Sequence, residues 1–177
     1  MPPTEIARSL FLVGFMGAGK TTVAAALSQL TGVEQVDLDQ RIVARAGCTI
    51  SDIFASHGEA VFRDLEASAL QALGDGVTRI VATGGGVIGR EENWRCMRQQ
   101  GLVVYLQASW EVLLQRIGSG AGRPLASGEE RARLHLLWQS RLPLYEQADL
   151  VVNVDQGSPE EIALRILEGC NKRRGQG

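Results

Sequence analysis

Short apolar runs alternate along the chain with longer stretches in which apolar residues recur every three or four positions. The short runs are typical of buried strands, and the longer stretches are typical of helices that bury one face. In chain order, strands are predicted at 9–13, 33–36, 78–82, 102–106 and 150–154. Because strands that alternate with helices form parallel sheets, the pattern indicates an α/β fold with a mostly parallel sheet.

Two of the predicted helices carry local signals. Ser158, Pro159 and Glu161 form a capping-box sequence with proline at the first helical position, so a helix is predicted to begin at Pro159. The stretch 49–73 has helical spacing that is interrupted near His57 and Gly58. We find no repeat or linker, and we expect a single domain over residues 1–177 with its core at about 9–168.

The stretch from Gly14 to Thr21, GFMGAGKT, has the spacing G-x-x-x-x-G-K followed by Ser or Thr that is typical of a phosphate-binding loop. It lies between a predicted strand and a predicted helix, as such a loop requires. Glycines let backbone N–H groups surround an anion, Lys20 can reach the β- and γ-phosphates of ATP, and Thr21 offers a hydroxyl to Mg²⁺. The predicted nucleotide-binding residues here are Gly17, Ala18, Gly19, Lys20, Thr21 and Thr22.

Two acids, Asp37 and Asp39, follow the second predicted strand. Ligands gather at the carboxyl ends of parallel strands, and both acids share one face if the strand continues to Asp39. We assign Asp37 to Mg²⁺ through water, together with Thr21, and Asp39 to a substrate hydroxyl. The alternative is that Asp39 only caps a helix that starts at Gln40.

Arg63 and Glu66 are three positions apart in a predicted helix. Spacing alone favours an ordinary surface pair, but Glu66 could also hold Arg63 as a fork for an anionic substrate group. The glycines from Gly84 to Gly86 follow the third predicted strand, where they allow a ligand to approach the backbone closely or simply form a turn.

The glycine-rich stretch 118–128 carries one cation, Arg123. Such a loop is typical of a lid that closes over a transferring phosphoryl group, with a plain surface linker as the alternative. Arg141 is a second candidate for binding an anion. Arg116, just before this stretch, could lie over an adenine or be solvated.

The composition narrows the possible partners and location. A net charge of −2 without clustered basic residues gives no sign of a nucleic-acid surface. The cysteines Cys48, Cys96 and Cys170 have no metal-site spacing and suggest a reducing compartment, so we expect a cytoplasmic protein. No apolar run is long enough to span a membrane, and we expect a monomer without membrane or nucleic-acid partners.

Taken in order, these pieces resemble shikimate kinases, and the resemblance runs from Leu10 to Leu167. The phosphate loop by itself specifies only a superfamily, whereas the ordered set of motifs is far more specific. Besides that loop, the motifs are Asp37-Leu38-Asp39, Phe62-Arg63-Asp64-Leu65-Glu66, Thr83-Gly84-Gly85-Gly86, Gly122-Arg123-Pro124-Leu125 and Arg141-Leu142-Pro143-Leu144-Tyr145.

The resemblance implies a three-layer α/β/α fold like that of nucleoside monophosphate kinases, with a five-stranded parallel sheet in the order 2-3-1-4-5. It implies a substrate-binding region at about 38–73 and a lid at about 118–128. The implied reaction is Mg²⁺-dependent transfer of the ATP γ-phosphate to the 3-hydroxyl of shikimate, which yields shikimate 3-phosphate and ADP. This step belongs to the route to chorismate and the aromatic amino acids.

The same resemblance implies a role for each matching residue. Lys20, Asp39 and Arg123 are implied to be catalytic, with Asp39 as the candidate proton acceptor and Arg123 on the transferring phosphate. Arg116 and Gln156 are assigned to the nucleotide base. The residues assigned to shikimate are Asp39, Arg63, Gly84, Gly85, Gly86 and Arg141.

Two departures from the family pattern and two alternative functions complete the sequence picture. Leu38 stands where a small polar residue is expected, and its side chain should point away from the site. The stretch 153–158 lacks an arginine that some members have.

The nearest enzymatic alternative is a gluconate kinase, and the alternative outside enzymes is a regulatory nucleotide-binding module. The module should lack Lys20, Asp39 or Arg123, and all three are present.

Overall fold

The computed structural model describes residues 6–119 and 128–174. It contains one five-stranded sheet in which every neighbouring pair of strands is parallel, in the order β2-β3-β1-β4-β5. The α/β class, the parallel sheet and the strand order predicted above are therefore confirmed. The strands are β1 Ser9–Val13, β2 Gln35–Asp37, β3 Ile80–Ala82, β4 Gly101–Gln107 and β5 Leu150–Asn153.

Helices cover the sheet on both sides and complete three layers. α1 packs on α7, while α3 packs on α2 and α4. A short 3₁₀ turn, Val87–Gly89, follows β3. The α-helices are α1 Lys20–Thr31, α2 Leu38–Ala46, α3 Ile50–Gln71, α4 Glu91–Gln100, α5 Trp110–Ser119, α6 Gly128–Tyr145 and α7 Pro159–Arg174. Among the described residues, none of these helices is both long enough and apolar enough to cross a lipid bilayer.

The central strand β1 explains why the apolar runs are continuous rather than alternating. It pairs with β3 on one side and β4 on the other, and all five of its residues are buried. Helices cover both faces of such a strand, so side chains on both faces are mainly apolar, and buried Ser9 is hydrogen-bonded by the Arg79 N–H. The carboxyl end of β1 leads directly into the phosphate loop, which places that loop at the middle of the sheet edge.

The strand boundaries near Asp37 differ from the prediction. β2 ends at Asp37, and α2 begins at Leu38, so the strand does not persist to Asp39. The alternative in which Asp39 caps a helix starting at Gln40 is also wrong, because Asp37 is the cap and its carboxylate accepts the Gln40 N–H at 3.1 Å. Asp39 therefore lies in the first turn of α2, and Leu38 points into the core, as expected.

The predicted helix signals at Gly58 and Ser158 are present. Gly58 interrupts α3 with φ 80° and ψ 174°, a conformation that favours glycine. At the start of α7, the Ser158 N–H donates to Glu161 at 2.7 Å and the Glu161 N–H donates to the Ser158 hydroxyl at 3.2 Å, which completes the capping box. A second capping box joins Thr49 and Asp52 at the start of α3, where the sequence analysis had not identified one.

We expect Thr49→Ala to lower the free energy of unfolding by about 1 kcal/mol, because the first turn of α3 loses its capping hydroxyl. Urea unfolding followed by circular dichroism measures this change. Ser51→Ala, an exposed substitution two residues further along the helix, is the control and should change stability much less. Equal stability of the Thr49 variant and the wild type would show that the cap contributes nothing.

Candidate functional site

The phosphate loop has the geometry of an anion site. Gly17 and Gly19 adopt positive φ angles of 82° and 91°, and α1 begins at Lys20, directly after Gly19. The Lys20 amine donates to the carbonyl oxygens of Gly14 at 2.8 Å and Phe15 at 3.1 Å, so it folds back over the loop. The loop therefore combines a helix N-terminus with a lysine amine, and both attract phosphate.

Burial lowers the pKa of Lys20 to about 8, against the opposing influence of the nearby carboxylates of Asp39 and Asp37. A phosphate group bound in the loop would supply negative charge beside the amine, which favours its protonated form. The residue is thus arranged so that its charge is best satisfied when an anion is present.

Thr21 and Asp37 lie together beside the phosphate loop. The Thr21 hydroxyl donates to Asp37 Oδ2 at 3.0 Å, while Asp37 Oδ1 is occupied by capping α2. Both side chains offer oxygen ligands, as Mg²⁺ prefers. Within the described residues there is no group of three or more acidic, histidine or cysteine side chains that could hold a metal. That is compatible with Mg²⁺, which usually takes one or two protein ligands plus phosphates and water.

Asp39 has a buried acceptor oxygen. Its Oδ1 atom has no hydrogen-bond partner among the described residues. Burial and the neighbouring Asp37 raise the pKa of Asp39, and the positive charges of Lys20 and Arg63 oppose that rise. A hydroxyl group that donated to Oδ1 would satisfy an atom that is costly to leave unpaired.

Glycine at position 84 lets the carboxylates of half-buried Asp39 and buried Glu66 approach the loop after β3. A Cβ atom there would lie 3.0 Å from Asp39 Oδ1 and 3.0 Å from Glu66 Oε1. Glu66 Oε1 is also buried without a partner among the described residues. Any larger side chain at Gly84 would therefore press on Asp39 and Glu66.

Glu66 and Arg63 form a buried ion pair, and this contact fits the functional interpretation better than the surface one. Glu66 has no exposed surface, and its Oε2 atom accepts from Arg63 Nη1 at 3.1 Å. Burial raises the pKa of Glu66, while Arg63 opposes that rise. Arg63 also contacts Glu59, through Nη2 at 3.1 Å and Nε at 3.3 Å.

The next two glycines give room to two arginines. A Cβ atom on Gly86 would overlap the Arg63 guanidinium. The carbonyl oxygen of Gly85 accepts from Arg141 Nη1 at 3.1 Å and from the Tyr145 hydroxyl at 2.8 Å. These residues are therefore more than a turn, because the loop receives side chains from α3 and α6.

A cavity of about 280 Å³ opens beside these groups. Among the described residues, three guanidinium groups and one carboxylate line it, so it favours an anionic ligand. Its volume is close to the lower end of the range for small-molecule sites. The residues that line it are Glu59, Arg63, Gly86, Ile88, Gly89, Arg90, Arg141 and Leu144.

A second cavity, of about 230 Å³, borders the phosphate loop at Ala18 and Gly19. Arg116 stands in its wall and donates to the Val154 carbonyl at 2.8 Å, with longer contacts to the carbonyls of Gly17 and Ala18. The side chain of Gln156 is exposed, and this residue does not line the cavity. The lining residues are Ala18, Gly19, Thr22, Val23, Arg116, Gly157, Pro159 and Ile162.

Arg123 lies outside the described residues, and both histidines of the chain lie outside this site. Arg123 falls between residues 119 and 128 and is not described, so its assignment stays a prediction. His57 is exposed on α3, and His135 contacts the rings of Trp110 and Trp138. Neither histidine lines the two cavities described above.

Two residues of the site were missed by the sequence analysis. Glu59 precedes Arg63 by four positions, a helical spacing that could have predicted the contact. Arg90 lines the larger cavity and pairs with Asp64 at 2.7 Å. Because Arg90 and Asp64 are far apart in the sequence, no helical spacing could have predicted their contact.

A phosphate-binding loop at the centre of a sheet with the order β2-β3-β1-β4-β5, next to a cationic cavity, defines the chain as a kinase of the phosphate-loop class. A family model for shikimate kinase matches residues 16–171. The chain belongs to the shikimate kinase family, whose members are ATP-dependent phosphotransferases.

Individual relatives agree with the family match. The shikimate kinase of Parasynechococcus marenigrum is 44% identical over 91% of this chain and 85% of its own length. That of Thermodesulfovibrio yellowstonii is 36% identical over 91% and 94% of the two chains. A solved structure of shikimate kinase from Acinetobacter baumannii in complex with shikimate has a TM-score of 0.88 and 36% identity, covering 97% of this chain and 99% of that one.

We expect Lys20→Ala to reduce kcat/KM by at least roughly two orders of magnitude, the equivalent of a charge-assisted contact of about 3 kcal/mol. A coupled assay of ADP release measures the loss. Lys172→Ala, which removes a lysine from α7, is the matched control and should behave like the wild type. Near-normal turnover of the Lys20 variant would refute the assignment of the loop.

Proposed function

We propose that this protein transfers the γ-phosphate of ATP to the 3-hydroxyl of shikimate and releases shikimate 3-phosphate and ADP. One observation carries the proposal: the phosphate-loop residue Lys20 lies near Asp39, whose Oδ1 atom has no partner among the described residues, and Arg63 and Arg141 line a cavity beside it. A small polyol acid needs an acceptor for its hydroxyl and cations for its carboxylate, and these residues supply both.

The acceptor's carboxylate is bound by Arg63 and Arg141 in this proposal. Both guanidinium groups line the same cavity, and planar guanidinium forks suit carboxylates. Buried Glu66 holds Arg63 in place through an ion pair between its Oε2 atom and Arg63 Nη1 at 3.1 Å. Backbone groups of Gly84, Gly85 and Gly86 bind the remainder of the acceptor, since these residues leave space above the loop.

The reacting hydroxyl binds to Asp39. Its Oδ1 atom accepts the hydroxyl hydrogen, which orients the oxygen toward the phosphate loop and supplies a nearby proton acceptor. Burial and Asp37 raise the pKa of Asp39, and the positive charges of Lys20 and Arg63 oppose that rise and so favour the ionised form that a proton acceptor needs.

The nucleotide binds with its phosphates in the loop of Gly17, Ala18, Gly19, Lys20 and Thr22. Thr21 would hold Mg²⁺ directly, and Asp37 would hold it through water, as their contact at 3.0 Å permits. When bound, the metal neutralises charge on the β- and γ-phosphates. Lys20 adds a further positive charge beside the γ-phosphate.

The remaining assignments extend the proposal. Arg123 neutralises the transferring phosphoryl group from the lid, and its removal would cost roughly 10³–10⁵ in rate if it acts as an arginine finger does. Arg116 and Gln156 contact the base near the second cavity, and the position of Arg116 in its wall supports the first of these. We further propose a cytoplasmic monomer.

We expect Asp39→Asn to reduce kcat by about 10²–10⁴, the range typical of a lost general base, while ATP affinity stays near the wild-type value. The substitution keeps the shape of the side chain but removes its charge. Single-turnover rates and nucleotide titrations separate the two effects. Turnover at the wild-type rate would remove Asp39 from the mechanism.

We expect Arg63→Ala to raise the KM for shikimate about 10- to 100-fold, because charge-assisted hydrogen bonds of about 1.5–3 kcal/mol are lost. Arg63→Lys keeps a positive charge beside buried Glu66 and shows whether reduced stability explains the loss. Arg95→Ala, at an exposed pair with Glu91, is the control. An unchanged KM would mean that the carboxylate binds elsewhere.

An assay of ADP release with Mg-ATP and either shikimate, gluconate or no acceptor tests the proposed function directly. Turnover with shikimate alone supports it. Turnover with gluconate alone would make the protein a gluconate kinase. ATP binding without turnover on either acceptor would favour a regulatory nucleotide-binding module.

A further inference from the structure

The Arg63 guanidinium has two carboxylate partners that differ sharply in exposure. Glu66 is 0% exposed and contacts Nη1 at 3.1 Å. Glu59 is 67% exposed, and a single oxygen of its carboxylate, Oε1, accepts from Nη2 at 3.1 Å and from Nε at 3.3 Å. Glu66 therefore holds the guanidinium from the buried side, whereas Glu59 holds the other edge of the guanidinium from the solvent side.

Glu59 also stands in the wall of the larger cavity, together with Arg63, Arg90 and Arg141. Arg90 already has Asp64 as its partner, at 2.7 Å. Arg141 donates to a backbone carbonyl and has no carboxylate partner among the described ion pairs. Within the part of the chain that the structure describes, Glu59 is thus the one carboxylate that both lines the cavity and pairs with a guanidinium of the proposed acceptor site.

We propose that Glu59 sets the affinity of the acceptor site for carboxylates, because it occupies the carboxylate position of Arg63 until an acceptor displaces it. This inference rests on the proposed role of Arg63 as a ligand of the acceptor's carboxylate. The Nε and Nη2 donors form the edge that pairs with a carboxylate through two parallel hydrogen bonds. Glu59 uses one oxygen on that edge, so an incoming carboxylate can exchange for it and place both oxygens there.

Because Glu59 is attached to the same helix as Arg63, it competes effectively with every carboxylate that approaches Arg63. It follows the kink at Gly58 and reaches Arg63 from one helical turn away. An intramolecular group competes with an effective concentration in the millimolar range. A simple carboxylate such as acetate must displace Glu59 with no further contact, whereas shikimate also engages Asp39 and Arg141 in the proposed site.

Because Glu59 is exposed, its ion pair with Arg63 is weak, and an acceptor carboxylate displaces Glu59 at a small cost in free energy. Exposed ion pairs contribute little because water competes with them. A pair worth about 0.4–1 kcal/mol corresponds to about two- to fivefold in an equilibrium constant, at 1.4 kcal/mol per tenfold. Removing Glu59 should therefore tighten the binding of carboxylates by about that factor.

The test uses Glu59→Gln in the full-length protein, with KM and kcat determined separately in the ADP-release assay. We expect the KM for shikimate to fall about two- to fivefold. Sodium acetate, with sodium chloride at equal ionic strength as reference, should inhibit the variant competitively against shikimate. Its inhibition constant should be about two- to fivefold lower than for the wild type.

Two further variants make the result specific to Arg63. Glu92→Gln removes the same charge from an exposed position on α4 that does not line the cavity, and it should change neither constant. Glu59→Ala repeats the test without an amide that could still accept from Arg63. Both Glu59 variants should shift the constants in the same direction.

A KM that rises or stays unchanged in both Glu59 variants would overturn the proposal, as would an equal effect in the Glu92 variant. The Arg63→Ala variant separates the two levels of inference. If Arg63→Ala leaves the KM unchanged, the proposed carboxylate site itself fails. If that KM rises while the Glu59 variants do not lower theirs, only the role of Glu59 fails.

Discussion

The site depends on the compensation of one buried charge. Glu66 has no exposed surface, and an unpaired carboxylate in such a place would cost several kcal/mol. Arg63 supplies the opposite charge from the preceding turn of α3, and Gly86 leaves the space in which its guanidinium lies. The same pair therefore holds α3 against the loop after β3 and leaves a guanidinium in the cavity wall. Arg63 therefore both neutralises buried Glu66 and supplies a cationic group to the cavity.

Beside the phosphate loop, Lys20 and Asp39 also compensate each other's charge. Burial disfavours the charged forms of both Lys20 and Asp39, and each residue favours the charged form of the other. Ligands that bring a phosphate to one and a hydroxyl to the other would complete the partners of both. The positions of these groups are fixed by the backbone at the edge of the sheet, before any ligand arrives. Electrostatic stabilisation of phosphoryl transfer relies on this kind of preorganisation.

Local patterns predicted the fold well wherever one physical signal dominated. The apolar run of β1 predicted a strand that is buried on both faces. The glycines of the phosphate loop and Lys20 predicted the turn that leads into α1. The prediction failed at Asp37, where two local preferences compete. The apolar alternation favours an extended strand, but a carboxylate that can cap the Gln40 N–H ends it. β2 ends at Asp37, which caps α2, so Asp39 lies in the first turn of that helix instead of in a strand.

The sequence by itself determined the class of fold, the phosphate loop and the residue types available for an acidic acceptor, because these follow from periodicity and short-range spacing. Only the tertiary structure decided that Glu66 is fully buried and that the carboxylates of Asp39 and Glu66 both lie next to Gly84. It also decided that Arg90 lines the cavity. These relations join α2, α3 and the loop after β3 across distant parts of the chain. Burial and charge pairing arise from the packing of those elements, and no single stretch of sequence contains them.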